Sequence, residues 1–400
     1  MMWPRKRIDI TWKDLFAASW ACAIRRDPKA GRNLPVDCWS NSPRAVPTLS
    51  VRSGLHLLLG AVNWPMGSEV LMSAMTIPAM ARIVRHHGYV PVPVDIDIDT
   101  AAPTLDALER ATTTSTRGLI VAHLFGSRIP LKDILSFANS REIDVLEDCA
   151  QAFVGPTWSG TDGCLASLFS FGTIKTSTAC GGGVLVLRNQ QLSANIEATQ
   201  DSWPVLKRST LTRRILTALL LKSLAYRLPF SVFRLAWFAL RRDLDTTLNN
   251  SVRGFRGEQL INQISQAPSE PLTALVSRRL QEFDNRQLSR RTSLGNRLVD
   301  RTQDHATLVG HKAKNHTFWV FPVASHEPNR LITRLRQSGF DATQGGSMEI
   351  VAMPDDRDDT ATGIRRTLPK IVYLPLYPDM PEAAIDRMAR VVCDVESTGP

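Results

Sequence analysis

The feature that most limits how this chain can fold is a regular alternation between residues 50 and 190. Apolar runs rich in β-branched residues stand at Glu69-Val-Leu-Met, Val90-Pro-Val-Pro-Val, Gly118-Leu-Ile-Val-Ala-His, Ile143-Asp-Val-Leu, Ser167-Leu-Phe-Ser-Phe and Gly183-Val-Leu-Val-Leu. Helix-like segments lie between several of them, for instance Pro78 to His87 and Leu131 to Ser140. Strands alternating with helices predict an α/β fold with a mostly parallel sheet covered by helices. Ligands bind such sheets beyond the carboxyl ends of the strands. The expected plan is a basic, Trp-rich segment over 1–45, a large domain over 46–250 and a smaller α+β domain over 251–400. Within the first segment, Ile8 to Cys22 suggests a short amphipathic helix. In the last, the pattern predicts a long charged helix from Val276 to Arg301, a strand at Thr317-Phe-Trp-Val-Phe-Pro-Val, and helices from Asn329 to Ser338 and Pro381 to Val395.

Four hundred residues suffice for a large core, and no internal repeat is present. The six cysteines are scattered, without the close pairs of a structural zinc site or a disulfide scaffold, which suits a reducing compartment. The basic start, Met1-Met-Trp-Pro-Arg-Lys-Arg, is not followed by an apolar core and cleavage site, so a cytoplasmic location is expected. The net charge of +10 raises the question of nucleic acid, but no helix-turn-helix, zinc-finger or aromatic RNA-binding signature accompanies it. Much of the excess sits in one segment instead.

Two residues carry the chemistry. Asp148 ends an apolar strand in Val145-Leu-Glu-Asp-Cys-Ala-Gln-Ala, where a carboxylate faces the ligand crevice. Lys175 follows Ser167-Leu-Phe-Ser-Phe-Gly-Thr-Ile on a loop rich in Ser, Thr and Gly, and Gly181-Gly-Gly-Val-Leu-Val-Leu comes after it. Such loops approach a bound group closely and offer hydroxyl and amide donors. An amine and a carboxylate at the top of one sheet is what pyridoxal-5′-phosphate (PLP) chemistry needs. The amine forms a Schiff base with the cofactor aldehyde, and the carboxylate keeps the pyridine nitrogen protonated. Singly, a lone Lys in such a loop is usually a solvated charge and an Asp at a strand end usually a cap. Their joint order and spacing are what give them meaning.

Over residues 50–190 the chain resembles the DegT/DnrJ/EryC1/StrS sugar-aminotransferase family of fold-type-I PLP enzymes. The resemblance rests on Glu147-Asp148-Cys149-Ala150-Gln151, Phe169-Ser170-Phe171, Lys175 and Gly182-Gly183, with weaker echoes at Arg256 and Leu374-Pro-Leu-Tyr-Pro. It implies that Asp148 pairs with the pyridine nitrogen, that Gln151 contacts the pyridoxal ring, and that Ser170 binds the cofactor phosphate. Arg52 and Ser53 fall at the family's phosphate cup, ahead of a helix whose free amides favour a phosphate. His123, where the family often has a His, reads as structural. The resemblance further implies transfer of an amino group from an amino-acid donor to a keto or aldehyde acceptor, a nucleotide- or lipid-linked keto-sugar or natural-product intermediate, in a homodimer with shared sites. Departures fall on the cofactor's surroundings. Val51-Arg52 replaces Gly-Thr, Ile77 replaces the stacking aromatic, Gly181 replaces an acid, and Gly254 replaces a partner-supplied Asn. Sugar dehydration on the same scaffold, or a PLP-binding regulator or membrane scaffold with lost catalysis, are the rival readings. Retention of Lys175 speaks against the dehydratases that use His there.

The segment 205–242, within an insert at about 200–248, holds nine basic residues and no acidic one. Lys222, Arg227 and Arg234 interrupt it too often for a transmembrane span. Two amphipathic helices meeting at Pro229 fit better, either lying on the inner face of a membrane or forming core or dimer contacts.

Overall fold

The computed structural model describes residues 1–24, 39, 44–239, 255, 257, 259–355 and 361–398. Its centre is a seven-stranded sheet of β1 (Arg44–Thr48), β2 (Glu69–Ser73), β3 (Val90–Val94), β4 (Thr116–Ala122), β5 (Asp144–Asp148), β6 (Ala166–Ser170) and β7 (Gly183–Leu187), in spatial order β1-β7-β6-β5-β4-β2-β3. β6, β5, β4, β2 and β3 run parallel, whereas β7 is antiparallel to both neighbours. All six expected strands are there. β1 is the addition, and its alternate positions share the same two cores.

The sheet is covered on both faces, which is why its strands read as continuous apolar runs. Leu146, Leu168 and Leu185 face α2 (Val51–Ala61), α3 (Pro78–His86) and α6 (Gln190–Asp201). Phe169, Val184 and Val186 pack on the other side with Leu15 of α1 (Trp12–Ala23), Leu211 and Ile215 of α7 (Arg208–Leu224), and Leu272 and Val276 of α9 (Glu270–Gln281). Here α4 (Leu105–Ala111) and α5 (Lys132–Asn139) precede β4 and β5, and α8 is Arg227–Ala239. Residues beyond 251 thus build part of the large core. The small domain pairs β8 (Thr307–Leu308), β9 (Phe321–Ala324) and β10 (Ile371–Leu374) antiparallel. α10 (Asn285–Thr302), α11 (Pro328–Gln337) and α12 (Glu382–Glu396) supply Leu298, Leu331, Leu335, Ile385 and Met388 to its core.

Three expectations need correction. The charged helix of 276–301 is two helices, because Asp284 caps a new start by accepting from the Arg286 amide at 2.9 Å. In the insert the break falls at Ala225-Tyr226, where α7 and α8 meet at 101°, and not at Pro229. Pro229 sits in the first turn of α8, where a missing N–H breaks no helical bond. The strand expected from Thr317 begins only at Phe321.

The start of α2 is pressed against β7 at Gly183. A Cβ there would lie 2.8 Å from Ser50 C and Val51 N and 2.9 Å from Phe169 O, all of them backbone atoms that cannot swing aside. Gly183→Ala is therefore expected to cost about 1–3 kcal/mol of stability, read as a lowered denaturant midpoint. An unchanged midpoint would mean that this contact is loose.

Candidate active site

β5 carries Asp148 to the carboxyl edge of the sheet, where its Oδ1 accepts from the Ala150 amide at 2.9 Å. Burial raises the Asp148 carboxyl, opposed by that amide and by the positive charges of Lys175 and Arg52. The neighbouring β6 ends at Ser170, and the chain then makes a loop pinched at Phe171. Phe171 N–H donates to Gly182 O (3.0 Å), and its carbonyl accepts from Ala179 (2.9 Å) and Gly181 (3.2 Å). Lys175 lies in this loop, its own amide bonded to Gly172 O at 2.9 Å. Burial lowers its amine to about 8, with Asp148 pulling upward and Arg52 pushing down further. Lys175, Asp148 and Arg52 thus meet within electrostatic reach at one edge.

Arg52 stands in the first turn of α2. Its Nε is buried without a hydrogen-bond partner among the described residues, and its guanidinium lies 5.5 Å from the Phe255 ring centroid. Ser53 is fully buried and pairs with the N-cap Ser50: the hydroxyls are 3.1 Å apart and Ser53 N–H donates to Ser50 Oγ at 3.2 Å. The structure therefore uses Ser53 as part of the helix cap. Among the described residues Ser170 Oγ has a long contact, 3.5 Å, from the Gly172 amide. Gln151 Oε1 accepts from the Phe125 amide at 2.8 Å, which ties it to the loop after β4. Ile77 is the N-cap of α3 and brings no ring. Arg256 and Gly254 lie outside the described residues.

This donor set fits PLP. An orphaned buried guanidinium nitrogen, a helix amino end and the Ser170 hydroxyl suit a phosphate. A carboxylate suits a protonated pyridine nitrogen, and a lysine with a lowered pKa suits an aldehyde.

Under this edge lies a strut. His123 is buried and its Nδ1 accepts from the Ile129 amide at 3.0 Å, so the ring proton is on Nε2, which donates to Glu147 Oε1 at 2.8 Å. Ser167 Oγ (2.6 Å), Thr161 N (2.8 Å) and Thr161 Oγ1 (2.8 Å) also donate to Glu147. Burial opposes its charge, but these donors hold the Glu147 carboxyl at about 2. Cys149 adds a ligand-type atom within 4.8 Å, but both oxygens of Glu147 and both nitrogens of His123 are already committed. The structural reading of His123 holds.

Two further residues reach the amine without having stood out in the sequence. Trp319 presents its ring 4.2 Å from Lys175 Nζ and donates Nε1–H to Ile174 O at 3.0 Å. Lys6 lies over the same ring, 3.7 Å from its centroid. A Trp in an apolar run reads as core, and a Lys in a basic tail as solvated, so neither had a local signal.

Residues 39–209 match the model of the DegT/DnrJ/EryC1/StrS aminotransferase family. A GDP-perosamine synthase of Escherichia coli O157:H7 is 33% identical over 141 residues, a stretch spanning 34% of this chain and only 38% of that protein. In structure the chain is similar to Helicobacter pylori PseC, an aminotransferase involved in the biosynthesis of pseudoaminic acid, with a TM-score of 0.72, 14% identity and all of both chains covered. It is similar also to the sugar aminotransferase CalS13 from Micromonospora echinospora, with a TM-score of 0.69, 19% identity and 98% and 100% coverage. These likenesses establish the fold.

Proposed function

We propose, from the premise that this chain belongs through residues 39–209 to the DegT/DnrJ/EryC1/StrS aminotransferase family, that it is a PLP-dependent aminotransferase. It would move an amino group from an amino-acid donor to a keto acceptor, of which a nucleotide-linked keto-sugar is the class suggested by the similar proteins. The observation that carries the reading is the meeting of Lys175, Asp148 and Arg52 at the carboxyl edge of the sheet. When bound, PLP supplies an electron sink for the bond-breaking step at the substrate carbon. The chain's own residues do the rest. Arg52, the start of α2 and Ser170 would hold its phosphate, and Asp148 would hold its pyridine nitrogen by charge. Lys175, low enough in pKa to give and take a proton near neutrality, serves as the acid-base group at Nζ. Trp319 walls the amine on one side and keeps water from it. The test is the absorbance of purified protein with PLP, before and after borohydride, followed by glutamate. Uptake, covalent trapping and a glutamate-driven shift to the pyridoxamine spectrum are expected; absence of PLP uptake would reject the reading.

A homodimer with shared sites goes with this proposal, as does a cytoplasmic setting at the inner face of a membrane. What supports the membrane part is an apolar surface with basic neighbours. Phe16 and Trp20 of α1 are 64% and 70% exposed, Leu216 and Leu220 of α7 are 60% each, and Val232 and Leu235 of α8 are 61% and 68%. α1 reaches the α7–α8 bend through Trp12 Nε1–H donating to Tyr226 OH at 3.4 Å. Exposed Lys13 and Arg213 flank these stripes. Among the described residues no single helix is long and apolar enough to cross a membrane, and an in-plane position matches the composition better. Flotation with anionic vesicles, and its loss in Phe16→Ser/Leu220→Ser, is the expected result. Equal absence of binding to anionic and neutral vesicles would assign the surface to protein contact.

A further inference from the structure

The first ten residues form a strap from the small domain to the loop that carries Lys175, fixed at both ends. On the small-domain side Trp3 N–H donates to Gly339 O (2.8 Å), Asp341 N–H donates to Trp3 O (2.9 Å), and Arg5 grips Asp341 through Nε (2.8 Å) and Nη2 (3.1 Å). On the large-domain side Asp9 accepts from the Ser177 amide at 2.7 Å, in the loop that carries Lys175, and from Arg279 at 3.2 Å. Lys6 hangs between these anchors. Its ammonium donates to Trp319 O at 3.2 Å and lies over the Trp319 ring that Lys175 Nζ also approaches.

Two lysines share one indole, and Arg291 is close enough to act on Lys6 electrostatically. Arg291 is itself buried, donating to Thr317 O (2.7 Å) and Thr176 Oγ1 (3.3 Å), so no carboxylate neutralises it through these bonds. Among the described residues Asp9 is an acid that acts on Lys6, and its oxygens serve Ser177 and Arg279. Burial, then Arg291 and Lys175, push the Lys6 amine well below its ordinary range, with Asp9 opposing. An arriving anion would offset that penalty by favouring the protonated amine.

We infer that Lys6 is a substrate-binding residue of this site, receiving an oxyanion of the substrate beside the Lys175 amine. The inference rests on the aminotransferase reading. The oxyanion is a carboxylate if the donor supplies it, or a phosphate oxygen if the acceptor does. The strap's two anchors set Lys6 Nζ in place before substrate arrives, and an oxyanion beside it favours the protonated amine, so little ordering is required on binding.

The test uses the full chain equilibrated with PLP, titrated calorimetrically with maleate, an unreactive dicarboxylate, and with inorganic diphosphate. Lys6→Met keeps the stem over Trp319 and removes the charge; Lys6→Arg keeps the charge. At least about a tenfold loss of affinity for one anion in Lys6→Met, recovered in Lys6→Arg, is expected. Loss for maleate assigns the donor carboxylate, and loss for diphosphate assigns the acceptor. Equal affinities in wild type and Lys6→Met, failure of Lys6→Arg to recover, or no binding of either anion overturns the inference. PLP uptake, measured first by absorbance, separates this result from failure of the aminotransferase reading itself.

Discussion

Lys175→Ala is expected to abolish borohydride trapping of PLP and to reduce amino transfer by roughly 10³-fold or more, since it removes both the attachment point and the acid-base group. The fold should survive. The loop around residue 175 is held by backbone bonds from Phe171 to Gly182, Ala179 and Gly181, and by Ser177 Oγ donating to Arg279 O at 2.9 Å, none of which involves the lysine side chain. The wild-type amine also predicts a pH dependence. With its pKa lowered to about 8, Lys175 is mostly an ammonium without a free lone pair below that pH and mostly a neutral nucleophile above it. Capture of added PLP by the cofactor-free protein should therefore speed up as pH rises through about 8. Stopped-flow absorbance reads this directly, and capture by Lys175→Ala at the wild-type rate would move the assignment to another amine.

Glu147→Ala is expected to lower stability by about 3–5 kcal/mol. The carboxylate is fully buried and accepts from His123, Ser167 and Thr161, so its removal leaves several buried donors unpaired at once. The sign with pH follows from its pKa of about 2, against an ordinary 4.5. A depressed carboxyl stabilises fully above its unfolded value and loses that contribution as pH falls toward about 2. Wild type should therefore lose stability between about pH 5 and 2, and Glu147→Ala should lose less over the same window. Urea unfolding at several pH values measures both. A loss under about 1 kcal/mol would mean that the donors find other partners.

The sequence by itself determined the parts whose causes are local. Six strands were legible because a strand buried on both faces must be apolar along its whole length, and Val, Ile and Leu mark such runs wherever they occur. Asp148 and Lys175 were legible because each follows such a run, and the carboxyl end of a parallel strand opens on the crevice. Local signals failed where two effects competed. A charged, helix-favouring stretch concealed the break at Asp284, and Pro229 looked like a helix breaker although it stands in a first turn that needs no amide.

Only the tertiary structure decided what stands around the amine. Lys6 and Trp319 are 313 residues apart in sequence, yet the strap brings one to the other across both domains. Arg52 and Ser53 both stood at the expected phosphate cup, but packing leaves Arg52 Nε buried without a partner among the described residues, whereas Ser53 is taken up by the Ser50 cap. Glu147 stands next to Asp148 in the chain, but strand alternation turns it to the other face, onto His123. Sequence periodicity records which face of an element is buried; which distant residue meets that face is settled by how the elements pack.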